Sequence, residues 1–138
     1  MWRSQPRKSD RLSGVNYFGG SSFGTMEATV TEHRCDVAVL HLRGELDADT
    51  SVKLRAALDK LLERPVPRIV VDLTELKFCD SVGLSAFITS KQVIADRGGW
   101  LSFAGANPFL VRLLETVGLS RYFAIFPEVD DAIAAAQL

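Results

Sequence analysis

The sequence predicts an α/β domain with a mixed central sheet, an opening β-hairpin followed by alternating helices and strands. Three observations carry this. Two short runs rich in β-formers, residues 28–34 and 37–43, are joined by the tight Cys35-Asp36 link. The run Ile69-Val-Val suits a strand buried on both faces. From residue 50 onward, stretches with three- and four-residue apolar spacing alternate with short β-rich runs. That order implies a largely parallel sheet covered by helices, made mixed by the hairpin.

Along the chain, residues 1–25 have no apolar period, and Gly19-Gly-Ser-Ser-Phe-Gly24 reads as a flexible tail. Arg3, Arg7, Lys8 and Arg11 against Asp10 make this segment +3, within a chain of net charge -1. The domain is expected over residues 26–138, and Met26 is an alternative start. Val37, Val39, His41 and Arg43 alternate with Ala38, Leu40 and Leu42. Gly44 is expected to end that strand. Asp47, Asp49 and Thr50 offer capping oxygens for a helix over about 50–63, which Pro65 and Pro67 stop. A strand over 68–73 and a loop over 74–79 lead to a helix from Asp80 to about Arg97, closed by Gly98-Gly99. A strand over 100–105 follows. Asn107-Pro108 opens a third helix that Gly118 ends. A short strand over 123–126 and a helix opened by Pro127-Glu128 complete the chain.

Composition excludes several function classes. No apolar run approaches the roughly 20 residues of a membrane span. The charge balance and the scattered aromatics make no case for nucleic acid. Cys35 and Cys79 lack metal-site spacing and read as two small core residues of a cytoplasmic protein. His33 and His41 sit on early strands, away from any nucleophile-elbow motif, and read as structural. No metal cluster, phosphate loop or cofactor motif is expected. Glu45, Asp47 and Asp49 read as capping and loop residues before a cation site. A hydrolase using Ser81 would lack a placed base, so the chain is expected not to be an enzyme.

The informative stretch runs from Val71 to Leu84, a buried strand leading into a helix that opens with Asp80-Ser81. Asp80 can cap the first free N–H groups, which leaves Ser81 in the first turn at the positive end of the helix dipole. A phosphate there would meet exposed N–H groups and add about -1.5 to -2 charges. A plain cap pair explains Asp80 equally well. Gly83, two residues on, permits close approach by another backbone. By helical spacing, Leu84, Phe87, Ile88, Ile94 and Ala95 share one side, and Ser81, Val82, Ser85, Thr89 and Gln92 the other. That second side is small and nearly uncharged, which favours a partner-binding face.

Four motifs in order resemble the STAS domain, in particular the anti-sigma factor antagonists of Gram-positive bacteria. They are Leu42-Arg-Gly-Glu-Leu-Asp47, Ile69-Val-Val-Asp-Leu73, Phe78-Cys-Asp-Ser-Val-Gly-Leu84 and Val117-Gly-Leu119. The resemblance implies that Ser81 is phosphorylated by an anti-sigma factor serine kinase, with Asp80 and Gly83 supporting the site. It implies that the unphosphorylated protein binds that kinase and frees a sigma factor, and that a serine phosphatase resets the switch. Val82 stands where the family usually has Ser or Thr. The partner surface is expected to comprise Val82, Ser85, Thr89 and Gln92 with Glu45 and Asp47 of the preceding turn. The alternative is a non-switching scaffold or a soluble subunit of a transport system.

Overall fold

The computed structural model describes residues 25–136, so residues 1–24 of the expected tail lie outside the described residues, while Thr25, its last residue, accepts from the Glu45 N–H at 2.9 Å. Five strands and four helices follow one another in the expected order. They are β1 (Met26–His33), β2 (Val37–Leu46), α1 (Ser51–Leu62), β3 (Arg68–Cys79), α2 (Ser81–Asp96), β4 (Trp100–Ala104), α3 (Pro108–Thr116), β5 (Ala124–Phe126) and α4 (Val129–Ala135). The sheet order is β1-β2-β3-β4-β5, with β1 antiparallel to β2 and every other pair parallel. Each parallel strand is added on the same side of the last. Right-handed crossovers therefore stack α1, α2 and α3 on one face.

Alternation along the strands divides the core. Ala38, Leu40 and Leu42, with Ile69, Val71 and Leu73, pack under Leu54, Leu58, Leu84, Phe87, Leu110 and Leu114. Phe103 meets the edge of Phe87, ring centroids 5.1 Å apart. The opposite residues Val37, Val39, Val70 and Ala104 pack under Ala132 and Ile133 of α4. The Ile-Val-Val run is thus covered on both faces, as its composition demands. No helix among the described residues is long and apolar enough to cross a membrane.

Four expectations are corrected. Gly44 does not end β2; it takes φ 106 and the strand continues to Leu46. Residues 74–79 are not a loop but the second half of β3. The two departures share one cause. The ladder between these segments shifts register between His41 and Arg43 and between Gly44 and Glu45, then resumes with Glu45 opposite Phe78 and Leu46 opposite Cys79. Each irregular segment becomes a strand because its neighbours supply hydrogen bonds, β3 and the start of β1 for the end of β2 and the end of β2 for residues 74–79, a gain that local propensity does not record. Thirdly, Cys35 is exposed at φ 65 in the hairpin turn, while Cys79 is buried as expected. Lastly, Thr50 makes no side-chain cap to α1. Its hydroxyl accepts from the Asp47 N–H at 2.9 Å and donates to the Glu45 carbonyl at 2.7 Å, tying down the turn before the helix.

His41 is structural, and its partners were not legible in sequence. His41 Nδ1 lies 2.8 Å from Asp72 Oδ2, and its Nε2 lies 2.9 Å from Thr31 Oγ1. Thr31 Oγ1 also meets His33 Nε2 at 2.8 Å. With Nδ1 of His41 protonated toward the carboxylate, its Nε2 accepts from the Thr31 hydroxyl, which accepts in turn from His33. The chain of bonds links β1, β2 and β3 on the sheet face that α4 only partly covers.

Candidate functional site

The resumed ladder carries Leu46 and Cys79 to the same end of the sheet, and the next residue opens α2. The Asp80 N–H donates to the Leu46 carbonyl at 3.1 Å. Asp80 is extended at φ -122, ψ 174, and its Oδ1 accepts from the Gly83 N–H at 2.8 Å, a complete N-cap. Ser81 occupies the first helical position and is exposed. Its N–H and that of Val82 belong to the first turn, where the helix has no acceptor of its own to offer. The local field therefore favours an anion at this hydroxyl.

Gly83 is buried, and the approaching backbone is that of this chain. A Cβ there would lie 2.7 Å from Leu46 Cγ and 2.8 Å from the Leu46 carbonyl oxygen. This contact seats the start of α2 against the turn bearing Glu45 and Asp47. The fold thus brings together the two sequence-distant parts of the expected surface. Asp47 Oδ1 accepts from the Thr50 N–H at 3.0 Å, so this carboxylate also braces its own turn. Glu45 and Asp47 are both half-buried.

Along α2 the expected outward residues Ser81, Val82, Ser85, Thr89 and Gln92 are all exposed. The division of the helix differs at its margins. Ile88 and Ala95, assigned by spacing to the core side, are exposed, and Gly83, Ala86 and Ser90 are buried. The outer face is more apolar than its composition suggests. Val82 is 55% exposed, Ile88 and Val93 are each 38% exposed, and Phe78 at the end of β3 is 44% exposed. The hydroxyls between them turn inward. Ser85 donates to the Val82 carbonyl at 2.8 Å and Thr89 to the Ala86 carbonyl at 3.0 Å. Gln92 is engaged with Asp96 at 2.9 Å. Phe78, Ile88 and Val93 were missed in sequence because large apolar residues default to the core.

No group of three potential metal-ligating side chains forms among the described residues. Cys79, next to the cap, is no nucleophile. Burial, aided by the Asp80 charge, pushes its thiol up to about 12.

Comparison with known proteins accords with this geometry. The family model described as "Mlab, STAS domain" matches residues 30–127. An anti-sigma F factor antagonist from Paenibacillus polymyxa is 35% identical over 105 residues, covering 75% of this chain and 87% of that protein. An anti-sigma-B factor antagonist from Listeria monocytogenes is 32% identical over 91 residues, covering 66% of this chain and 80% of that protein. The crystal structure of an anti-sigma factor antagonist from Mycobacterium paratuberculosis aligns with TM-score 0.75 and 26% identity, covering 83% of this chain and 96% of that one. The chain belongs to the STAS domain family, in its anti-sigma factor antagonist group.

Proposed function

We propose that this protein is a cytoplasmic binding module, not an enzyme, that binds an anti-sigma factor serine kinase and is released when that kinase phosphorylates Ser81. The observation that carries the reading is the position of Ser81. Ser81 is exposed at the capped N-terminus of α2, with exposed Val82 next to it in the helix and exposed Phe78 near the end of the preceding strand. A partner seated on such a face excludes water. A phosphate of about -1.5 to -2 charges placed there would be stripped of solvent, at a penalty of several kcal/mol, and so would eject the partner. The helix N-terminus meanwhile accommodates the phosphate in the free protein. Binding frees the sigma factor held by the kinase, and a serine phosphatase restores the binding form.

Val82 removes the second hydroxyl usual in the family, which leaves Ser81 as the acceptor in this turn. The docking surface is assigned to Val82, Ser85, Thr89 and Gln92 with Glu45 and Asp47, and Asp80 and Gly83 hold the acceptor in place. Neither nucleic acid nor membrane enters this scheme.

The test uses the full chain as bait in lysate of its own bacterium, with and without ATP. Retention of one kinase without ATP, release with ATP, and the mass of one phosphate on the released bait are expected. Ser81→Ala should retain the kinase under both conditions. Phosphate on the alanine variant would remove Ser81 from the scheme. Capture of a permease with no response to ATP would instead place the chain as a non-switching subunit of a transport system.

A further inference from the structure

A second feature lies away from Ser81, where the sheet is incomplete. β5 pairs only with Ser102, Phe103 and Ala104, so on the side away from β3 the first part of β4 has no strand beside it among the described residues. Trp100 donates its N–H to Pro67 on the β3 side, and alternation directs the Leu101 N–H to the open edge. A cavity of about 480 Å³ surrounds this edge, between the last turns of α2 and the inner side of α4. Its size is that of a small-molecule site.

Its chemistry is specific. Trp100, Tyr122 and Phe126 supply aromatic walls, and Ala132 and Ala135 keep the α4 side open because they are small. Lys91 is the one charged residue among the described residues lining it, and its Nζ sits 4.6 Å from the centre of the Tyr122 ring. Ser102 is the telling residue. It is 4% exposed and sits in the middle of β4, with Leu101 and Phe103 turned to one core and Trp100 and Ala104 to the other. The alternation aims Ser102 to the α4 side, where it lines the cavity, and its hydroxyl has no hydrogen-bond partner among the described residues. The hydroxyl is not sealed in the core but opens onto the cavity, where a polar atom of a ligand can replace the water that reaches it.

We propose that this cavity is a binding site for a small apolar carboxylic acid, a flat or short-chain body with one anionic head. The body lies against Trp100, Tyr122 and Phe126, Lys91 pairs with the carboxylate, and Ser102 bonds to a polar atom of the ligand. Among the described residues the lining holds a lysine and no acidic residue, which selects an anion over a cation. The site is independent of the reading given to Ser81, although α2 carries residues of both.

The test is calorimetric titration of the full chain with 2-naphthoate and with its neutral counterpart 2-naphthamide. Saturable one-to-one binding of the naphthoate is expected, with the amide at least about 10-fold weaker, the loss of one charge-assisted contact. Lys91→Met should bring the naphthoate down to the level of the amide. Ser102→Val should weaken both. Ala135→Leu should fill the cavity and abolish binding while the melting temperature stays within a few degrees of the parent, which separates a blocked site from a damaged fold. Equal affinity for acid and amide overturns the proposed ligand class. Binding unchanged by Ala135→Leu, or no uptake of either probe because another segment or a second copy fills the cavity, overturns the site.

Discussion

Gly83 rests on Leu46: a methyl group added to this glycine would stand 2.7 Å from the leucine Cγ and 2.8 Å from its carbonyl oxygen. The start of α2 is therefore placed by a contact with β2 that only a glycine permits. Gly83→Ala should raise intrinsic helix propensity by about 1 kcal/mol. It should nevertheless destabilise the protein by about 1–3 kcal/mol, because the helix end or Leu46 must move. Urea unfolding checks this. A gain in stability would mean that the contact yields easily.

Asp80 combines a capping oxygen with a charge beside Ser81. Asp80→Ala should cost about 0.5–2 kcal/mol through loss of the bond to the Gly83 N–H. Asp80→Asn keeps a capping oxygen and should lose less. Under the proposed switch, Asn should still slow phosphorylation of Ser81 while kinase binding survives. Unfolding midpoints and initial phosphorylation rates for the three proteins decide it. A parental rate in the Asn variant reduces Asp80 to a cap.

The two cysteines should behave oppositely. Cys35 is exposed, whereas Cys79 is buried and its thiol is pushed up to about 12. One thiol per native chain should react quickly with a disulfide reagent and the other only on unfolding. Cys35 also holds φ 65, which strains any residue with a side chain. Cys35→Gly should gain about 0.5–1 kcal/mol, and Cys35→Val should lose at least as much. Chemical denaturation of the two variants gives both signs.

Asp72 sets an acid limit. Burial pushes its carboxyl up, but hydrogen bonds from His41 and from the hydroxyl and N–H of Thr74 prevail and hold it below its ordinary 3.8. A carboxyl lowered on folding contributes stability above its unfolded value and loses it as pH falls through the folded one. The contribution is thus complete at neutral pH, begins to fall below about pH 4 and is lost as the pH passes through the lower folded value. Asp72→Asn should cost about 1–3 kcal/mol at pH 7. That deficit should shrink as the pH drops below about 4, as followed by unfolding at a series of pH values. A deficit independent of pH would assign the loss to packing.

The sequence by itself determined the order of the elements, the division of β2 between two cores and the cap at Asp80. Each rests on local chemistry: a period of two, a period near 3.6, an aspartate before a helix. It also marked Ser81 as the first residue after the cap, since capping geometry is decided within four residues. Tertiary structure alone decided the rest. Residues 74–79 became strand because Gly44–Leu46 lay beside them to receive their hydrogen bonds, and neither segment signals this alone. His41, Asp72 and Thr31 became one network because sheet pairing joins residues far apart in the chain. Phe78, Ile88 and Val93 emerged on the surface because the face of a helix that meets the sheet is set by the tilt and seating of the helix, here by Gly83 against Leu46. Hydrophobic spacing locates an apolar stripe, but packing against a particular neighbour decides which edge of that stripe is covered and which remains open to a partner.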